Sequence, residues 1–288
     1  MNVRSLLTLQ SLTAAEINAI ADRAIELARD FEERKPVQSL KGKRVGLIVE
    51  ECGWRNTTAL DLGMQLLGAH CTQITASLSG AESLEDLARY FENWFDLIAV
   101  RCPSLERMSA LAAATRLPVL NLRTRQNHPC ETLGDLCYVK QTRGSLEDLT
   151  VAAVAPAGNV LHSWAEAAEV LPLKLIQVYP QSHWIDRAAY PAPGIETTED
   201  LSLAREADVL ITDCWPDDTS GLALDDLRIT ADFLDGAKEY CLFIPCPPVT
   251  RGEEVSADAM EHSKCRSYDA KAFLMHGQNA VIERALLP

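Results

Sequence analysis

The feature that most constrains this chain is a regular exchange between short apolar runs and helical periods. RVGLIVE, CTQITASL, FDLIAVR and LPVLNL in the first half read as strands, as do LTVAAVAP, LKLIQVYP, DVLITDCW and YCLFIPCPP in the second. Between them lie helical stretches: TTALDLGMQLLGAH, closing near Gly68, then SLEDLARYFENW, MSALAAAT, a segment from His128-Pro129 to about Lys140, HSWAEAAEVLP and DLSLAREA. A strand buried on both faces reads as a near-continuous apolar run, and a parallel neighbour is reached only through a crossover, usually a helix. The alternation therefore predicts a mostly parallel α/β sheet architecture. An opening helix is expected over AAEINAIADRAIELARDFEER, with Thr13 and Glu16 as a capping box and Ile17, Ile20, Ala24 and Leu27 on one face. SADAMEHS reads as a short helix and AFLMHGQNAVIERALL as the closing one, while the tract 216–236 is polar and mixed.

The chain has 288 residues, enough for two domains or one large one. Residues 1–140 carry 16 basic and 17 acidic side chains, and residues 141–288 carry 11 and 24. That asymmetry supports two units with different tasks, divided near 138–146, where Gly144 makes the break. The acidic second half is an ordinary solvated surface or a region that attracts a cationic ligand. A net charge of −14 argues against nucleic-acid binding, which needs a basic stripe. No apolar run approaches the about 20 residues of a membrane span, and MNVRSLLTLQSLTAAE is not expected to be a secretory leader. Nine cysteines, an odd number without a CxxC pair, read as free thiols in a reducing cytoplasm.

Motifs read from chemistry alone leave little. The chain has no GxGxxG after a strand, no GxxxxGK[ST] loop and no GxSxG elbow. Its six histidines show no metal-ligand spacing with a carboxylate, and neither metal nor cofactor is expected. The helix starts that follow strand ends, at Gly53, His128 and Asn159, are the natural ligand sites of an open α/β sheet.

One stretch carries the reading further. HPCETLGDLCYVKQTRGSLEDLTVAAVAPAGNVLHSWAEAA, residues 128–168, resembles the aspartate/ornithine carbamoyltransferase family, whose members carry His-Pro-x-Gln-x-x-x-Asp, a Gly-Ser-Leu turn and a helix opening with His-Ser. SLLTLQSLTAAEINAIADRAIEL, DLGMQLLGAH, SLEDLARYF before Arg101, TDCW, CPPVTRGEEVSADAM and HGQNAVIERALL match it in the same order. Cys246 and Asn-Val-Leu-His-Ser make the resemblance closer to the ornithine branch. It implies two doubly wound parallel-sheet domains: 1–140 for carbamoyl phosphate, with the terminal helix 272–288 packing back on it, and 141–271 for the amino acid. It further implies a homotrimer without a cofactor, in which an amine attacks the carbamoyl carbon while an Arg and a His polarise the carbonyl oxygen.

Residue by residue, the resemblance gives Arg101, His128 and Cys246 catalytic places, and Asn159 and Asp213 the amino acid. The donor side departs from the pattern. Where the family's phosphate loop reads Ser-Thr-Arg-Thr-Arg, this chain has Gly53, Trp54, Arg55, Asn56 and Thr57. The family's basic loop before the SLED helix reads Ser77-Leu78-Ser79-Gly80-Ala81-Glu82, its Arg in the last helix is Leu274, and its Gln facing the carbamoyl amide is Glu131. A phosphate dianion needs several converging donors and cations. Glu131 is therefore expected to suit a cationic or amidine-like group better than a phosphate. Arg101 and His128 are catalytic or are relics kept for packing, and Cys246 is near the amine or is a buried strand-end thiol. Arg251 and Glu253 are expected to pair within their loop. Three readings stay open: an enzyme transferring a carbamoyl or related group with an altered donor site, a non-catalytic paralogue that binds an amino-acid-like ligand or partners an active subunit, and an ordinary ornithine-type transferase.

Overall fold

A computed structural model describes residues 4–288. The first sheet consists of β1 (Arg44–Val49), β2 (His70–Ile74), β3 (Leu97–Arg101) and β4 (Val119–Arg123), in the order β2-β1-β3-β4. The second consists of β5 (Leu149–Val154), β6 (Leu173–Val178), β7 (Ile195–Thr198), β8 (Val209–Thr212) and β9 (Leu242–Pro245), in the order β7-β6-β5-β8-β9. Every strand pair is parallel. The fold is therefore α/β, with two doubly wound parallel sheets. Each reverses its winding direction once, between β1 and β3 and between β5 and β8. Crevices open at such switch points, outside the carboxyl ends of the strands.

Among the described residues eight α-helices cover the sheets: α1 (Ala14–Glu32), α2 (Trp54–Leu66), α3 (Leu84–Trp94), α4 (Leu105–Ala114), α5 (Pro129–Arg143), α6 (Asn159–Ala168), α7 (Ala231–Asp235) and α8 (Ser267–Leu286). Both bonds of the Thr13–Glu16 capping box form, and Ile17, Ile20, Ala24 and Leu27 are buried along α1. The αL residue Gly144 (φ 81°) ends α5, as a helix C-terminal glycine does. One apolar cluster runs through both sheets, joining Leu47, Leu60 and Leu122 to Leu133, Val151, Trp164 and Leu175.

Helix α8 returns across α5, α1 and α2. Its approach to α5 is close. A Cβ on Gly134 would lie 3.1 Å from the backbone of Leu274, and one on Gly277 would lie 3.5 Å from Gly134 Cα. These two glycines let the helices meet backbone to backbone.

Several expectations were too regular. DLSLAREA forms 3₁₀ turns over Leu201–Glu206, and SADAMEHS keeps one such turn, Ala259–Glu261. The tract 216–236 contains α7 and a 3₁₀ turn at Asp225–Leu227. Strand β7, a four-residue edge strand with two threonines, carries no apolar run to announce it. Helix α8 begins five residues before position 272. No helix of the described residues is long and apolar enough to cross a membrane, and all nine cysteines are free.

Candidate active site

A cavity of about 410 Å³ opens at the switch point of the first sheet. Its walls are the start of α2 (Trp54, Arg55, Asn56, Thr58, Ala59, Leu62), the end of β3 (Arg101), the start of α5 (His128, Glu131), Pro247 and Pro248 after β9, and Lys271 and Leu274 of α8.

Arg101 crosses the mouth of α2. Its Nε donates to Glu51 O at 3.1 Å and Cys52 O at 3.2 Å, and its Nη2 to Cys52 O at 2.9 Å. Gly53 makes room for this, because a Cβ there would lie 2.1 Å from Arg101 Nε. Burial and the neighbouring Arg123 lower the guanidinium's pKa, and Glu51 opposes them. An arginine stays charged regardless. Its Nη1 has no partner among the described residues and is the donor left for a ligand.

His128 precedes Pro129 and caps α5, its backbone N–H donating to Ser163 Oγ at 2.9 Å. Burial pushes the imidazole pKa down to about 4, with Arg101 and Lys271 adding to the shift and Glu131 opposing it. At neutral pH the ring is uncharged, and it offers one N–H and one lone pair. Arg101 and His128 therefore reach one cavity as a cation and a neutral ring, the pair needed to polarise a carbonyl.

Glu131 sits one turn into α5, buried, with Asp135 a further turn along the same face. The sequence reading left Glu131 open to a cationic ligand. In the structure one counter-charge comes from the chain itself. Lys271 Nζ lies 2.7 Å from Glu131 Oε1 and 2.6 Å from Asp135 Oδ1. Burial raises the pKa of Glu131, but Lys271 outweighs it and holds the carboxylate below its ordinary range. Asp135 is pushed up to about 6, burial winning over Lys271 there. Burial works against the ammonium, but the two carboxylates keep Lys271 well above the usual lysine range. Sequence reasoning missed Lys271 altogether. The signal was a pair of carboxylates at i, i+4 within the buried stretch 129–139 of a helix, which demands a counter-charge.

Other expected donor residues divide. Arg55 and Trp54 line the cavity and lean on each other, the guanidinium 4.9 Å from the indole centroid. Asn56 turns inward, its Nδ2 donating to Leu122 O at 3.3 Å while its Oδ1 stays buried without a partner. Thr57 is absent from the lining. Its hydroxyl donates back to Gly53 O and Trp54 O, each at 3.3 Å, so its expected donor-binding place is corrected to a helix-internal one.

Cys246 is likewise kept out of the lining. It is buried at the end of β9, its Sγ 4.0 Å from Glu131 Oε1, and burial beside Glu131 pushes the thiol pKa well up. A neutral, enclosed thiol is no nucleophile. Asn159 and Asp213 lie at the second switch point, after β5 and β8, and do not line the cavity either. Asn159 Nδ2 donates to Thr124 O at 3.1 Å, and Asp213 Oδ1 accepts the Cys214 N–H at 2.9 Å. Burial pushes Asp213 up to about 6. Arg251 pairs with Glu261 at 3.0 Å, where the sequence suggested Glu253. No group of His, Cys, Asp and Glu among the described residues could hold a metal ion.

Comparison with known proteins agrees with this geometry. The domain described as aspartate/ornithine carbamoyltransferase, carbamoyl-P binding domain, matches residues 4–141, and the Asp/Orn binding domain of the same description matches residues 147–285. The ornithine carbamoyltransferase of Acinetobacter baylyi is 28% identical over 98% of this chain and 97% of its own. That of Paracidovorax citrulli is 29% identical over 99% and 97%. The ornithine carbamoyltransferase structure from Burkholderia thailandensis superposes with a TM-score of 0.92 at 27% identity, covering 99% of both chains.

Proposed function

The chain belongs to the aspartate/ornithine carbamoyltransferase family, and from that premise we propose that it transfers a carbamoyl or closely related group to the amine of an amino acid, ornithine-like in kind, through an altered donor site. One observation carries the reading: Arg55, Arg101 and His128 share one cavity at a switch point, with the expected phosphate cradle rebuilt around them. In this reading Arg101 and His128 draw charge onto the carbonyl oxygen. The amine nitrogen attacks the carbonyl carbon, the C–N bond forms, and the bond to the leaving group breaks. The leaving group departs with that bond's electron pair and takes up the proton that the amine nitrogen gives up. Asn159 and Asp213 hold the amino acid from the second sheet. The domains divide as 1–140 and 141–271, with 272–288 returning to the first, and the assembly is a cytoplasmic homotrimer.

The donor side supports the alteration in physical terms. A hydrogen bond to a charged group contributes about 1.5–3 kcal/mol. Two hydroxyls and a guanidinium are replaced in the α2 loop by Gly53, Asn56 and Thr57: Gly53 has no side-chain donor, Asn56 Nδ2 donates to Leu122 O, and the Thr57 hydroxyl donates back to Gly53 O and Trp54 O. Carbamoyl phosphate should then be a poor donor.

The test incubates purified protein with labelled carbamoyl phosphate and a panel of amine-bearing amino acids, following ureido product and phosphate release. The expected result is slow product that saturates only at millimolar donor and disappears in Arg101→Ala. Saturation at micromolar donor would restore the ordinary ornithine reaction. No product, together with binding of an amino acid, would establish the non-catalytic paralogue instead.

A further inference from the structure

The wall opposite α2 contains a charge arrangement that the transfer chemistry does not call for. Lys271 and Leu274 stand one turn apart on α8, and both line the cavity. The ammonium faces the same space as Arg55 and Arg101, yet two of its three donors are spent on Glu131 and Asp135. Glu131 and Asp135 are buried, Lys271 keeps a small exposed edge toward the cavity, and the close α5–α8 crossing at Gly134 holds them together. We propose that the Glu131–Lys271–Asp135 triad is the specificity filter of the donor site, cancelling the cation that α8 brings to the cavity, so that the site refuses a phosphate dianion and admits a donor whose leaving group is uncharged or singly charged.

The charges on both walls support this. Arg55, Arg101 and Lys271 stand against Glu131 and Asp135, which leaves a single net positive charge around the space. Two further arginines near the end of β4 stay outside the lining and share one carboxylate, Glu51, which pairs with Arg123 and, at 2.8 Å, with Arg125, offsetting one of their two charges. Trp54, Leu62, Leu274, Pro247 and Pro248 add apolar surface to a wall whose other polar members, Asn56, Thr58 and His128, are uncharged or, for His128, neutral at neutral pH. An organic leaving group with some apolar surface fits such a wall, whereas a dianion would face it without compensation. At the deep end, Glu131 Oε1 is taken by Lys271, while Oε2 lies 3.9 Å from His128 Nε2 and is left to accept from an NH₂ group. The neutralised carboxylate thus does the work of an amide oxygen, and the transferred head remains one that carries –C(=O)NH₂ or its amidine counterpart.

This filter rests on the altered-donor reading above, and the experiment separates the two. Calorimetric titration of carbamoyl phosphate, with inorganic phosphate in parallel, is run at pH 7.5 on the full chain, on Glu131→Gln and on Glu131→Gln/Lys271→Met. Melting curves check that each variant is folded. Glu131→Gln frees one ammonium donor and restores a positive charge, so carbamoyl phosphate should bind at least tenfold more tightly than to the unaltered protein, and Lys271→Met should erase the gain. Asp135→Asn removes the other carboxylate and should act in the same direction. Weak binding by the unaltered protein with no gain in either single variant, or a gain that survives Lys271→Met, overturns the filter alone. Micromolar binding by the unaltered protein overturns both the filter and the altered-donor reading.

Discussion

Two helix starts face each other across the cavity, and they have been treated in opposite ways. The first turn of α2 has been stripped: Gly53 carries no side chain, Asn56 lines the cavity but gives its Nδ2 to Leu122 O, Thr57 bonds back to Gly53 O and Trp54 O, and Arg55 leans on an exposed Trp54 at the cavity wall. The first turns of α5 have gained charge at one position, Glu131 in place of the family's Gln, and Glu131 and the Asp135 that keeps the family pattern both pair with Lys271. The difference teaches that the electrostatics of a site belong to all its walls together. A cation can be lost from one helix and supplied from another, and what a ligand meets depends on whether the new cation is left free.

The sharpest way to break this comparison is to remove Lys271. Taking one partner from a buried ionic cluster leaves uncompensated charge and costs about 3–5 kcal/mol. Lys271→Met should therefore lower stability by about that amount in urea unfolding at pH 8. The loss should shrink at pH 5, where Asp135, already pushed up to about 6, takes a proton instead of standing unpaired. A loss below 1 kcal/mol at pH 8 would mean that the two carboxylates are solvated and the α5 wall is not the charged one.

The start of α5 hangs on a second buried acid. Glu166 of α6 accepts the Leu9 N–H at 2.8 Å and Asn127 Nδ2 at 2.9 Å, fixing the residue before His128. Burial pushes its pKa up to about 7, the Leu9 and Asn127 bonds opposing the shift and Glu169 adding to it. Below pH 4.5 the carboxyl is protonated in both folded and unfolded chains. Between pH 4.5 and about 7 the unfolded chain ionises first, so stability from this group is full on the acid side and lost as pH rises through 7. The total is about 3 kcal/mol. Glu166→Gln should flatten that slope, so the unaltered protein loses more stability than the variant between pH 5 and pH 8. Parallel profiles for the two would show the acid to be ionised throughout.

The alternation of apolar runs with helices made most of the fold legible, because parallel strands buried on both faces cannot be written any other way. Strand β7 escaped because an edge strand needs no apolar run, and Leu201–Glu206 because a helical period does not distinguish an α-helix from 3₁₀ turns. At the site, His128 was legible from its place at a helix start and Arg101 from the resemblance, and both line one cavity. Lys271 was not, since a lysine early in a helix reads as solvated until its partners, 136 residues away for Asp135, are in view. Thr57 and Cys246 were misplaced for a related reason. Resemblance aligns a position, but the direction of a side chain depends on what neighbouring groups offer it, and here Gly53 O and the interior of β9 offered more than the cavity did.

Gly53 sharpens the α2 half of the comparison. Its φ of −179° is extended backbone open to any residue, so Gly53→Ala carries no conformational strain. The conflict is steric, because the new Cβ would sit 2.1 Å from Arg101 Nε and 2.2 Å from Cζ. The guanidinium is the far end of a flexible side chain and can swing away, which keeps the cost near the low end of overpacking, about 1 kcal/mol. Swinging away breaks the bonds to Glu51 O and Cys52 O and carries Nη1 off its line into the cavity. Gly53→Ala should therefore melt almost as the unaltered protein does and yet lose most of whatever ligand affinity Arg101 provides. Gly53→Ser should do the same. If both variants keep that affinity, Arg101 reaches the ligand from another rotamer, and the stripped start of α2 has no part in aiming it.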